Sequence, residues 1–379
     1  MKKRDKAVSA ASVFRLELSD IERLFSFLEK NGYEVCAPVV KDGAVVYKRG
    51  ALFSELPFGW KDYQEKGDYR IEKTDGKAIF NYTVAANSWK QFLFKPVEKL
   101  FAINRNGWQT TAVDKDNNRP LAFFGVRPCE LAAISILDKV FDERRCFIPE
   151  YKKRREILFI IAVNCTRAGN TCFCSSMGTG PKAKSVYDIV LTEMIGDGGH
   201  YFICETGTER GKEIISELKC QSASAAEVSE ADSAIERAAS SMGRIVKTAG
   251  VNELLYEKFE SQIWDEIAER CLTCGNCTMV CPTCFCNQVE DGSSFDGKIA
   301  WRYRKWDSCF SLEFSYIHGG SVRASAKSRY RQWLVHKFAA WYEQFGLFGC
   351  VGCGRCITWC PSGIDITEEI KIFQTETQS

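Results

Sequence analysis

Two cysteine runs in this chain share one spacing. They are Cys271-x2-Cys274-x2-Cys277-x3-Cys281-Pro282 and Cys350-x2-Cys353-x2-Cys356-x3-Cys360-Pro361. Three thiolates two residues apart wrap a tight loop around one face of an inorganic cubane, with backbone N–H groups turned toward its sulfides. Gly275, Gly352 and Gly354 supply the dihedrals and the close backbone approach that such a loop requires. The proline ends the loop and turns the fourth thiolate away from the first three. Where two such runs occur together, the fourth cysteine of each serves the other [4Fe–4S] cluster. The expected ligand sets are therefore Cys271, Cys274, Cys277 and Cys360 for one cluster, and Cys350, Cys353, Cys356 and Cys281 for the second. Zinc is the poorer reading, because zinc sites use two separated C-x2-C pairs and need no third cysteine at that spacing.

A weaker constellation lies in the first half. Cys129 stands in Arg127-Pro128-Cys129-Glu130, between an apolar run and a helical pattern. Cys165 follows the apolar run that ends at Val163, and Cys172 and Cys174 come just after it. Parallel strands would bring these loops to one sheet edge, where α/β folds place their ligand sites. Cys129 at a helix N-terminus would also have its thiolate favoured by the helix dipole. The expectation is a third [4Fe–4S] cluster on Cys129, Cys165, Cys172 and Cys174, with buried structural thiols as the alternative. The Gly178-Thr179-Gly180 turn could cradle phosphate or flavin, but it lacks the G-x-G-x-x-G pattern. Cys284, Cys286 and Cys309 read as alternate ligands, a redox pair or packed thiols. Arg355 and Lys305 read as solvated cations, with tuning of a nearby potential or a docking surface as the other reading.

Composition bounds the chemistry. Nineteen cysteines against three histidines in 379 residues make any metal centre mainly thiolate-ligated. A secreted disulfide scaffold would be short and carry a signal, whereas no apolar stretch follows the basic MKKRDK start. The apolar run Ile157–Val163 falls far short of the roughly 20 residues that span a bilayer. A cytoplasmic protein without membrane insertion is expected. A net charge of +2 gives no field for nucleic acid.

The elements that must position these cysteines divide the chain. Residues 1–220 read as a mixed α/β domain. A helix is expected over Asp20–Lys30 with Ser19 as its cap, and others over Glu130–Phe141 and Lys212–Leu218. Strands are expected at Val45–Lys48, Ala78–Val84, Leu121–Val126, Ile157–Val163 and Asp188–Thr192. Residues 221–250 read as a linker or surface helix. Residues 251–379 read as a mostly helical, ferredoxin-like dicluster domain with a long insertion at 287–345, expected as a helical excursion. Leu255, Phe259, Ile263 and Ile267 form an apolar stripe leading into the first motif. A helix over Tyr330–Phe345, with Trp333, Phe338 and Trp341 as core contacts, leads into the second.

Taken together, Phe124-Gly-Val-Arg-Pro-Cys129-Glu-Leu-Ala, Cys172-Phe-Cys174-Ser-Ser-Met-Gly-Thr-Gly-Pro, Cys281-Pro-Thr-Cys-Phe-Cys286 and Gly349-Cys-Val-Gly-Cys-Gly-Arg-Cys356 resemble the beta subunit of cytoplasmic sulfhydrogenases and the iron–sulfur electron-transfer subunit of anaerobic sulfite reductase. The likeness runs from about residue 75 to 370. It implies a non-catalytic iron–sulfur subunit that relays electrons from a flavin/NAD(P)H-oxidoreductase subunit to a hydrogenase or siroheme reductase subunit. It also implies that Cys129, Cys165, Cys172 and Cys174 match family cysteines. The rival reading is a flavin-binding catalytic subunit that works on substrate directly.

Overall fold

The computed structural model describes residues 13–104, 109–112, 119–142, 146–196 and 198–375. The basic MKKRDK segment lies outside them. Strand β1 (Val13–Glu17) runs into helix α1 (Leu18–Lys30), where apolar residues at helical spacing put Ile21, Leu24, Phe25 and Leu28 on the buried face. The helix starts before the expected Ser19 cap, because the Asp20 carboxylate accepts the Glu17 backbone N–H at 2.9 Å. There follow hairpin β2 (Glu34–Lys41) and β3 (Ala44–Arg49), hairpin β4 (Trp60–Glu65) and β5 (Asp68–Lys73), helix α2 (Lys90–Leu93), and strands β6 (Val97–Asn104) and β7 (Gln109–Ala112). Strand β8 (Leu121–Val126) leads to helices α3 (Pro128–Val140) and α4 (Pro149–Ile157), then strand β9 (Phe159–Val163). The first half closes with β10 (Ile189–Gly196), β11 (Gly199–Thr206), α5 (Glu209–Leu218), β12 (Gln221–Ser222) and α6 (Ala225–Ser240).

Eight of these strands form one sheet in the order β12-β1-β11-β10-β9-β8-β2-β3. Its centre is parallel, β2 with β8, β8 with β9 and β9 with β10. Every residue of β8 and β9 is buried, as their unbroken apolar sequences require of strands covered on both faces. The mixed α/β expectation holds. Helix α6, in the stretch read as a linker or surface helix, buries Ala231, Ala234, Ile235 and Ala238.

Ala78–Val84 is not the expected strand. It is buried but irregular, because its backbone polar groups bond to side chains instead of a neighbouring strand. The Glu193 carboxylate accepts the N–H groups of Ile79 and Phe80 at 2.7 and 2.8 Å, and Asp62 accepts that of Thr83 at 3.0 Å. Arg127 donates to the carbonyls of Phe80 and Tyr82, and Arg167 to that of Asn81.

The second half is less helical than expected. Helices α7 (Val251–Glu257) and α8 (Ile263–Arg270) bury Leu255, Ile263 and Ile267, but the chain breaks between them. Phe259 is left half exposed, with the Arg331 guanidinium 3.9 Å from its ring centre. Helix α9 (Asn276–Met279) belongs to the first motif. The expected helical excursion then begins as a β-hairpin, β13 (Asn287–Ser293) and β14 (Ile299–Trp306). Aromatic residues alternate with arginines along β14, a pattern suited to a half-buried strand. It pairs with β6, giving a four-stranded antiparallel sheet β13-β14-β6-β7. Helix α10 (Ala326–Val335) passes through a π turn at residues 336–340 into α11 (Trp341–Phe345), with Trp333, Phe338 and Trp341 buried as expected. The last elements of the described residues are α12 (Arg355–Thr358) and α13 (Ile366–Thr375).

Glu98 fastens the hairpin to the first half. Only 4% exposed, its carboxylate pairs with Arg304 of β14 and Arg154 of α4. Glu98→Ala would remove the buried carboxylate that both guanidinium groups share, which should cost about 3–5 kcal/mol. Urea unfolding should show this as a lowered midpoint, and an unchanged midpoint would remove the carboxylate from its assigned role.

Candidate iron–sulfur centres

Helix α8 delivers Cys271 at its C-terminal end, and the chain then turns through Thr273 (φ +51°) and Gly275 (φ +77°). Cys271, Cys274 and Cys277 line a cavity of about 30 Å³ together with Cys360 from the second motif. Phe310, Tyr330, Trp333, Ile364 and Ile366 enclose it, and Cys356 reaches its wall. The Ile364 backbone N–H donates to the Cys360 sulfur at 3.3 Å. Burial pushes the Cys277 thiol well up, and Cys271, Cys274 and Cys360 add to the effect. The structure thus brings together the four cysteines of the first expected set.

The second set gathers in the same way. Burial pushes the Cys350 thiol up to about 12, with Cys353 and Cys281 among its neighbours. Cys356 is held well above an ordinary thiol by burial and by Cys350, Cys353 and Cys281. Cys281, from the end of the first motif, therefore lies with the second. The Gly352 N–H points at the Cys350 sulfur at 3.4 Å.

The third group sits beside the second. Cys129 follows the C-terminal end of β8 and Cys165 that of β9, and these strands are parallel neighbours. Burial raises the Cys174 thiol, reinforced by Cys172, Cys165 and Cys353; burial also raises Cys129, with Cys353 and Cys174 as neighbours. The second motif is pressed onto this loop. A Cβ on Gly352 would lie 2.6 Å from the Phe173 carbonyl oxygen, and one on Gly354 2.5 Å from that of Thr171. The Phe173 N–H donates to Gly352 O at 2.9 Å and Thr179 Oγ1 to Val351 O at 2.6 Å. A Cβ on Gly180 would stand 2.9 Å from the Cys174 sulfur. The Gly178–Gly180 turn thus serves the close packing of this cysteine loop.

These groupings suit iron–sulfur clusters. The donors are all sulfur, the loops are open at glycine, and the sulfurs of the first set stand around a void. Among the described residues no three His, Cys, Asp or Glu side chains close on a single ion. Burial disfavours the thiolate at Cys129, Cys174, Cys277 and Cys356, whereas Cys281 is pulled well below an ordinary thiol by Cys284 and by Lys337, so thiolate ligation here goes with positive charge brought in.

Buried cations supply part of that charge, and the sequence reading missed them. Arg355 is not solvated. It is 0% exposed, ion-paired with Glu130 at 2.5 Å, and donates to the carbonyls of Ala85 and Asn87 at 2.8 and 3.2 Å. Lys305 does lie near the surface, paired with Glu290. Arg127 is buried with one guanidinium nitrogen 3.8 Å from the Cys165 sulfur. Lys337, in the π turn, donates to the Cys281 sulfur at 3.2 Å, to Thr283 Oγ1 at 3.1 Å and to Gly349 O at 3.2 Å. Burial opposes its charge, but Cys281, Cys284 and Cys350 outweigh that and hold it well above an ordinary lysine. One signal for Lys337 was present in the sequence, since it falls on the same helical face as Trp333 and Trp341.

Residues 270–364 match the model of a family described as 4Fe-4S dicluster domain. The chain is 32% identical over 312 residues to sulfhydrogenase 2 subunit beta of Pyrococcus furiosus, an alignment covering 80% of this chain and 88% of that one. No solved structure matches the chain. No helix among the described residues is long and apolar enough to cross a membrane.

The dicluster match implies two [4Fe–4S] clusters. Potentials of such clusters follow charge and hydrogen bonds at their sulfurs. Lys337→Gln removes an ammonium beside Cys281, which should make the potential of the nearer cluster more negative. A charge-assisted hydrogen bond of about 1.5–3 kcal/mol sets an upper limit of roughly 130 mV for a one-electron couple. A redox titration followed by paramagnetic resonance reads this directly; an unmoved potential would show that the lysine does not tune the cluster.

Proposed function

This chain belongs to the sulfhydrogenase beta-subunit family, and on that premise we propose that it relays electrons through three [4Fe–4S] clusters inside a larger oxidoreductase complex. Cys271, Cys274, Cys277 and Cys360 hold one cluster. Cys281, Cys350, Cys353 and Cys356 hold the second, and Cys129, Cys165, Cys172 and Cys174 the third. The flanking modules are a flavin/NAD(P)H-oxidoreductase subunit on one side and a hydrogenase or siroheme reductase subunit on the other, in a cytoplasmic assembly.

The observation that carries this reading is the packing of the 350–356 loop on Thr171–Cys174. Cys353 lies among the electrostatic neighbours of Cys129, Cys172 and Cys174. Cys281 and Cys277 are neighbours across the two dicluster sets. The three thiol groups therefore form one contiguous series, which is the requirement for one-electron hopping. When bound, the clusters supply the electron transfer. The polypeptide holds them apart from water, sets their charge environment through Arg127, Arg355 and Lys337, and leaves Cys274 exposed at one end of the series. The site needs no proton-transferring side chain, because electron hopping between clusters makes or breaks no bond.

Iron and acid-labile sulfide in the chain itself, produced anoxically and loaded with its clusters, should each approach about twelve per chain. The double variant Cys172→Ser, Cys174→Ser should retain about eight and keep the dicluster signals. Full iron in that variant, or about eight in the native chain at full occupancy, would reduce the relay to two clusters. Mass spectrometry of the intact complex should find redox subunits bound; a chain that is alone and turns over substrate would end the relay reading.

A further inference from the structure

Three cysteines beside the dicluster sets are left over by the ligand assignments. Cys284 and Cys286 follow Pro282, and Cys309 lies beyond the β13–β14 hairpin. The register of that hairpin brings its two ends together. Asn287 stands opposite Trp306, and the Asp307 N–H donates to Cys286 O at 2.9 Å. Two residues on, Cys309 is buried, and its thiol and that of Cys286 act on one another more strongly than any other group does on either.

The surroundings of this pair are polar and positive. The Lys337 ammonium lies beside it, and the buried Lys90 ammonium donates to Cys284 O at 2.8 Å, 3.8 Å from the ring centre of Trp306. Inert structural thiols sit in apolar surroundings, whereas exchange-active ones sit beside positive charge. The pair also stands between the two dicluster sets. Cys277 of the first set is an electrostatic neighbour of Cys309, and Cys284 links Cys286 to Cys281 of the second.

We propose that Cys286 and Cys309 form a reversible dithiol–disulfide couple that exchanges two electrons with the neighbouring clusters. In the oxidative direction the two S–H bonds break and one S–S bond forms between the Cys286 and Cys309 sulfurs. One electron passes to each of the two oxidised dicluster centres, and two protons leave to water past the half-buried Cys286. The reverse sequence restores the thiols. The couple would give a series of one-electron carriers a single two-electron station. It rests on the dicluster reading and is independent of the third cluster.

The test uses the full cluster-loaded chain in its complex, oxidised anoxically with thionine and then titrated with dithionite. The native chain should take up about two electrons more than Cys286→Ser or Cys309→Ser, with iron and sulfide unchanged in both variants. Peptide mapping after alkylation should recover a Cys286–Cys309 linked peptide from oxidised native protein and none from reduced protein. Equal electron uptake in native and variants, or no linked peptide, would overturn the proposal. Loss of about four iron atoms in either variant would overturn it too, by making these cysteines cluster ligands. Absence of clusters from native protein would instead count against the dicluster reading, and the iron analysis separates the two failures. Should a variant fail to fold, the linked-peptide result on native protein decides alone.

Discussion

Crowding many thiols into one buried seam is unfavourable as thiolates unless positive charge is buried with them. The loops after β8 and β9 and the 350–360 loop are arranged around that constraint. Cys129, Cys174, Cys277 and Cys356 are all pushed well above ordinary thiols by burial and by one another. Iron would bring part of the required charge. Arg127, Arg355, Lys337 and Lys90 bring the rest, and each is almost wholly buried. Burying a cation alone is costly, so each has fixed partners. Arg355 has Glu130 and two carbonyls, Arg127 has carbonyls from the irregular 80–82 stretch, and Lys90 has a carbonyl and an indole face. The irregular stretch at 78–84 is thus explained by charge: a regular strand would have spent on a neighbouring strand the carbonyls that these arginines use.

Close backbone approach is the second half of the same arrangement. Gly352 and Gly354 sit at positive φ against the carbonyls of Phe173 and Thr171, at distances no side chain could occupy. That contact lets one loop wrap its own cysteines while its outer surface packs against a second cysteine-bearing loop. Charge and steric fit then act together, because Arg355, next to Gly354, enters the seam at the same point and meets Glu130 beside Cys129.

The cysteine sets were legible because their information is local. Spacing within each run determines which thiols face one way and which faces the other, and the uninterrupted apolar strands β8 and β9 place Cys129 and Cys165 at neighbouring strand ends. What could not be read depends on partners distant in sequence. Arg355 in a Gly-Arg-Cys run looks like any surface cation until Glu130 is placed beside it. Ala78–Val84 has the composition of a strand, and only the positions of Glu193, Asp62 and Arg127 remove it from the sheet. The alternation along β14 was visible, but its value as a strand depends on β6, which lies far back in the first half. Read without that partner, the stretch between the motifs was expected to be helical.

Lys337 shows how one residue can join two motifs that are distant in sequence. In an unbroken α-helix its carbonyl would be taken by the next turn; in the π turn it accepts the Gly349 N–H at 2.8 Å. Its ammonium in turn donates to Gly349 O, to Thr283 Oγ1 and to the Cys281 sulfur, and Thr283 Oγ1 donates to the same Gly349 carbonyl at 2.7 Å. The last thiol of the first motif and the residue before the first thiol of the second are therefore held by one side chain. An arginine there would keep the charge but not the fit, since a planar fork cannot converge on a carbonyl, a hydroxyl and a sulfur around one point as a compact ammonium does. The placing of Cys281 beside the second run thus has a physical enforcer in the helix that precedes that run, outside either cysteine motif.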